Sequence, residues 1–131
     1  MPFERVFTNT KWEQRVGYCR AVRAGCHIYV TGTAPVDDDG HVVGAGDGYA
    51  QARRCFEIIA NALESLGASM TDVVRTRMFV TDMSLWEDYG RAHHEFMGAA
   101  PPATSMVEVA RLIDPAMLIE IEADAAVMEA S

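Results

Sequence analysis

Hydrophobic positions recur along this chain with two periods, and the points where the period changes mark out its elements. Between Gly48 and Leu66, the residues Ala52, Phe56, Ile59, Leu63 and Leu66 return at three- and four-residue steps, with Arg53, Arg54, Glu57 and Glu64 among the remaining positions. This spacing predicts an amphipathic helix, with Gly67 placed to end it. A second helix is expected from Ser84 as cap, with Glu87 completing a capping box, to about Met97 before Gly98. Trp86, Tyr89, His93 and Phe96 are expected along one side of it. Other segments alternate or are rich in β-branched and aromatic residues. Gly17–Val22, a turn at Ala24-Gly25 and His27–Thr31 predict a hairpin, and Val73–Val80 predicts a further strand. In Met1–Gln14, Phe3 and Phe7 are expected to anchor a first short strand.

The last third is the most strongly patterned. Pro101 and Pro102 bias the preceding residues toward extended backbone. From there Ser105, Val107 and Val109 share one face, and Thr104, Met106 and Glu108 the other. After a turn at Asp114-Pro115, Ile119, Ile121, Ala123, Ala125 and Val127 form an apolar face opposite Glu120, Glu122 and Asp124. The simplest expectation is two strands joined by that turn. The order β-β-β, helix, β, helix, β-β, with hairpins at both ends, predicts an α+β fold in which one mixed sheet carries two helices on one face. Arg75 and Arg77 share a strand face, as do Glu120, Glu122 and Asp124. If these are the uncovered faces, they form either a solvated polar surface or one that a partner subunit buries in paired form.

Composition narrows the function classes. At 131 residues a single domain, 1–131, is expected. The net charge of −8 and a single lysine, Lys11, leave no basic cluster to replace phosphate counterions, so nucleic-acid binding is not expected. No run suits a membrane span and no signal peptide is expected. Cys19, Cys26 and Cys55 lack any CxxC spacing and are expected as reduced, mostly buried thiols, consistent with a cytoplasmic location. Asp37-Asp38-Asp39-Gly40 has turn chemistry but not the spacing of an EF-hand, and Gly44–Gly48 lacks the Lys-Ser/Thr of a phosphate loop.

Pro102-Ala103-x-Ser105-x-Val107-Glu108-Val109, followed by Ile119-Glu120-Ile121-Glu122-Ala123, resembles the C-terminal signature of the Rid proteins. These are YjgF-like reactive-intermediate deaminases, and the resemblance extends over nearly the whole chain. It implies a chorismate-mutase-like sheet in a homotrimer with a central barrel, and ligand clefts between subunits. The chemistry it implies is hydrolytic removal of ammonia from small 2-imino acids without metal or organic cofactor. In the deaminases an arginine between Pro-Ala and Ser grips the substrate carboxylate; here that position is Thr104. A water-activating glutamate falls on Glu120, the aromatic after the first glycine on Tyr18, the backbone corner on Gly32-Thr33, and the cysteine of some deaminases on Met106.

Thr104 offers a hydroxyl and no charge, so a loss of about 1.5–3 kcal/mol of contact to a bound anion is expected. Arg20, two residues from Tyr18, is a candidate replacement anchor; pairing of Arg20 and Arg77 with Glu120, Glu122 or Asp124 is the structural alternative. His93 is a candidate general acid or base, with packing as its alternative, whereas His27 and His41 are isolated and His94 faces elsewhere. The functional expectation is a deaminase or hydrolase of an imine, enamine or related substrate with altered specificity. A non-catalytic metabolite-binding trimer and an interaction protein with vestigial clefts are the alternatives.

Overall fold

In the computed structural model of the chain, which describes residues 3–128, the elements are β1 (Glu4–Val6), α1 (Lys11–Val16), β2 (Ala21–Ala24), β3 (His27–Thr33), α2 (Gly48–Ser65), β4 (Val73–Val80), α3 (Trp86–Met97), β5 (Ala103–Glu108) and β6 (Ile119–Ala126). The longest amphipathic run folds as its spacing predicts. Ala52, Phe56, Ile59 and Leu63 of α2 are buried against the sheet, Asp47 caps its start by accepting from the Ala50 amide, and Gly67 follows its end with φ 81°. Only a residue without Cβ adopts that angle at little cost.

The strands form one mixed six-stranded sheet in the order β1-β2-β3-β6-β4-β5. All pairings are antiparallel except β4 with β5. The two long helices lie on one face, above Ile119, Ile121, Ala123 and Ala125 of β6, Thr76, Met78 and Val80 of β4, and Ile28 and Val30 of β3. The fold is the expected α+β layer. Among the described residues, no helix is long and apolar enough to cross a membrane.

The expected C-terminal hairpin does not form. β5 runs parallel to β4 at the sheet edge, and β6 crosses back to lie between β3 and β4. Burial explains the exchange: alternate residues of β6 are fully covered, whereas β5 is exposed or half-exposed throughout. Gln51, itself fully buried, fixes the connection just before β6. Its Nε2 donates to the Ala116 carbonyl at 2.9 Å and its Oε1 accepts from the Leu118 amide at 2.7 Å.

The N-terminal region also departs from expectation. Phe3 and Phe7 are exposed and anchor nothing; β1 is held by backbone pairing to β2, with Val6 packed against the core. Gly17–Arg20 is not strand. The six-residue helix α1, too short to display a period, ends at Gly17 with φ 92°, and β2 begins at Ala21. The second long helix is entered through a 3-10 turn, Met83–Leu85, capped by Asp82 rather than Ser84. Asp82 Oδ1 accepts from both the Ser84 amide and hydroxyl. Trp86, the first residue of α3, is left 55 % exposed, and the packed side is Tyr89, Ala92 and Met97 with His93 and Phe96 partly buried. The three cysteines are unpaired, but only Cys55 is buried.

Candidate functional site

The face of the sheet away from the helices carries the charged side chains expected there. Register sets Arg77 opposite Glu122, Arg75 opposite Asp124 and Phe79 opposite Glu120. Arg77 Nη1 lies 3.1 Å from Asp124 Oδ2 and 3.7 Å from Glu122 Oε1, so Arg77 takes the structural alternative of pairing with β6. Arg75 donates to Ser105 Oγ at 2.8 Å. Glu120 therefore faces an aromatic ring across the ladder and not a cation. Burial, and then repulsion from Glu122, push its carboxyl above the usual carboxylate range, partly offset by Arg20.

Glu120 packs on Gly32. A Cβ at Gly32 would lie 2.6 Å from Glu120 Oε2 and 3.0 Å from its Cδ, so the absent side chain is what gives the carboxyl its place. Gly32 sits where the β3–β6 register shifts, between Val30 and Thr33. Thr33 is fully buried and donates to the Thr31 carbonyl at 2.7 Å.

Arg20 reaches the same corner. It is 5 % exposed; Nη1 donates to the Gly32 carbonyl at 2.9 Å and to Thr33 Oγ1 at 3.2 Å, and Nη2 to Glu13 Oε2 at 3.4 Å. Its guanidinium lies 5.8 Å from the Tyr18 ring centre. The ion-pair partner is thus Glu13, not an acid of β6. Glu13 carries no signal in the sequence beyond Thr10 three residues before it, and only the short α1 brings it here. It is almost fully buried and accepts from the Thr8 amide at 3.0 Å, from the Thr8 hydroxyl and from Thr10 Oγ1 at 3.2 Å. Burial would raise its carboxyl, but these bonds, together with the Arg20 charge, hold it below the usual range. Tyr18 lines a neighbouring cleft of about 410 Å³ with Arg5, Phe7, Gln14 and Thr31.

Thr104 and Met106 lie elsewhere. Register sets them beside Thr76 and Met78, on the helix side of the edge strand. Thr76 Oγ1 is hydrogen-bonded both to Thr104 Oγ1 and, at 2.8 Å, to His93 Nε2. Burial, and then the neighbouring His94, lower the His93 pKa and favour its neutral form. Within one chain, then, Tyr18, Arg20, Thr33 and Glu120 gather at one corner, and Thr104 and Met106 lie apart from it on the edge strand. Asp37, Asp39 and His41 bring possible cation ligands within 4.8 Å of one another, but Asp37 Oδ1 already accepts from the Asp39 and His41 amides to close the turn.

A mixed sheet with two long helices on one face, and a half-buried acid at a glycine corner, defines an α+β layer protein whose other sheet face is left open. A crystal structure of a YjgF/YER057c/UK114 family member from Mycobacterium tuberculosis superposes with a TM-score of 0.88 at 44% identity, covering 96% of this chain and 100% of that one. Escherichia coli TdcF with bound serine gives 0.78 at 27% identity, over 85% of this chain and 88% of that one. The 3-aminoacrylate deaminase RutC of Acinetobacter baylyi is 36% identical over 107 residues, 79% of this chain and 82% of the relative. The chain belongs to the family described as Endoribonuclease L-PSP, the YjgF/Rid family, whose model matches residues 8–127.

Proposed function

We propose that the protein is a cofactor-independent deaminase or hydrolase of a small imine or enamine, acting at clefts between the subunits of a cytoplasmic homotrimer. The observation that carries this reading is Glu120, a half-buried carboxyl that burial pushes above the usual carboxylate range, packed on Gly32 with no cation opposite it on β4. Such a group holds a proton more tightly than an exposed carboxylate, which makes it the stronger base toward a bound water. Water adds to the C=N carbon while Glu120 takes its proton; the proton passes to nitrogen, and the carbinolamine collapses to C=O and ammonia.

A subunit interface accounts for candidate residues that fall in two separate places. Thr104 and Met106 of one chain complete a cleft only if they meet the Glu120 corner of another. The open face, with the Arg77–Asp124 pair and the exposed Tyr29 and Val107, suits burial against copies of itself. The deaminase relative supports amine-releasing chemistry, and TdcF with bound serine supports a small ligand. The net charge of −8 favours such a substrate over RNA despite the family description. With Thr104 hydrogen-bonded to Thr76, the ligand group it meets is neutral or weakly anionic, not a carboxylate that needs a guanidinium. One observation favours a second reading, a metabolite-binding trimer without turnover: both Nη atoms of Arg20 are engaged within the chain.

The test is hydrolysis of 2-aminoacrylate/iminopyruvate by wild type, Thr104→Arg and Glu120→Gln, beside sedimentation. The expected result is a trimer in which Thr104→Arg raises turnover about tenfold or more and Glu120→Gln abolishes it. A stable monomer removes the intersubunit site, and inactivity of both wild type and Thr104→Arg favours the binding protein.

A further inference from the structure

We infer that Glu13 is a positioning residue for Glu120, acting through Arg20 and the Gly32–Thr33 corner. The inference rests on the catalytic reading of Glu120 given above and adds what holds that group and what charge it faces.

A buried ion pair is a poor device for stability alone, because desolvation consumes much of its attraction. The Glu13–Arg20 pair is nevertheless built with care. Donors from Thr8, Thr10 and Arg20 converge on the Glu13 carboxylate, and the Glu13 and Arg20 side chains are 3 % and 6 % exposed. Arg20 in turn spends Nη1 on the Gly32 carbonyl and Thr33 Oγ1, the residues at the register shift where β3 would otherwise be least determined. Its Nε is buried without a partner, so the guanidinium is fixed by its ends and not by saturation of every donor. Gly32 so held is the surface on which the Glu120 carboxyl rests.

The chain of contacts also assigns charges. Glu120 has Glu122 beside it on its own strand, beyond that Asp124 with Arg77 of β4, and Phe79 across the ladder; on the helix side, the Cys55 thiol of α2, which burial pushes up and keeps neutral, feels its charge. Arg20 is the cation that acts on Glu120. Glu13 is the anion that neutralises Arg20.

The consequence is a pair of opposite effects. Arg20→Gln removes a cation and raises the Glu120 midpoint by about one pH unit; Glu13→Gln leaves Arg20 uncompensated and lowers it by a similar amount. Arg20→Lys keeps the charge and holds the midpoint near wild type, while loss of the planar fork lowers kcat. The experiment is a carboxyl-carbon NMR titration of the full chain labelled at glutamate, with Glu120 assigned by Glu120→Gln, beside the pH–rate profile on 2-aminoacrylate. Opposite shifts establish the relay. Midpoints unchanged in folded Glu13→Gln and Arg20→Gln overturn it, and if Glu13→Gln does not fold, equal midpoints in Arg20→Gln and Arg20→Lys do so. The titration needs no turnover, so shifts without any imine hydrolysis keep the relay and discard the deaminase. Turnover that depends on Glu120, with unmoved midpoints, does the reverse.

Discussion

Arg20 and Glu120 close on the same glycine, yet no ion pair joins them. Arg20 Nη1 binds the Gly32 carbonyl at 2.9 Å, and the Glu120 carboxyl occupies the space where a Gly32 side chain would stand. Had they paired directly, Glu120 would be held as a low-pKa anion and would be a weak base. Separation by one backbone unit leaves the cation near enough to stabilise the carboxylate and the carboxyl free to take a proton.

Gly32→Ala tests that arrangement. The new Cβ meets the far end of a flexible side chain, so the carboxyl swings away and the fold absorbs the change at a cost of about 1 kcal/mol or less. Glu120-dependent turnover is expected to fall by about tenfold to a hundredfold, since a misplaced base loses its geometry. Denaturant unfolding beside the rate measurement checks both halves; a large stability loss with normal turnover would sink the account.

The raised Glu120 carboxyl makes a second prediction, about stability and pH. Its folded pKa lies above the ordinary 4.5, so the folded state binds the proton more tightly than the unfolded state. Stability from this group is present below pH 4.5 and is lost as pH rises through the folded pKa. Glu13 has the opposite sign: its contribution is present above 4.5 and lost as pH falls through its depressed folded pKa. Melting temperatures of wild type and Glu120→Gln, followed from pH 4 to about pH 8, should diverge as pH rises, with the variant the more stable at the upper end. Parallel curves would show that Glu120 titrates normally.

Thr76 supplies a third. Its buried hydroxyl links His93 on α3 to Thr104 on β5. Thr76→Val keeps the shape and leaves His93 Nε2 without its partner, for an expected loss of about 1–3 kcal/mol by denaturant unfolding. A loss near zero would mean that water replaces the hydroxyl and that the link is incidental.

How much of this was legible in the sequence depended on whether a residue's neighbours were local. The run Ala52, Phe56, Ile59, Leu63 carries its own period, and Val73–Val80 was bounded correctly by composition alone. The alternation of β6 identified both of its faces and hence the openness of the Glu120 side. Its place between β3 and β4 was not legible, because a strand's partners are set by which apolar surface needs covering and not by which strand precedes it. Of the alternatives open to Arg77, pairing with β6 acids is the one that forms, and strand alternation, which fixes its face, made it foreseeable. For Arg20 the pairing with a β6 acid does not form, because its partner lies on a six-residue helix with no detectable period. Glu13 had no signal beyond Thr10 three residues before it: an acid in a polar stretch looks like surface until the chain folds it under Arg20.

The position of β6 also governs when the molecule comes into being. β1, β2 and β3 can pair as the chain leaves the ribosome, and β4 can later receive β5, but no strand joins these halves until residues 119–126 enter between β3 and β4. Synthesis must therefore pass Glu120 before the sheet exists as one body. The strand that closes the architecture delivers the proposed base to its corner, so a ribosome-bound nascent chain stopped short of it carries two unsatisfied sheet edges for chaperones to guard, and no trace of the site.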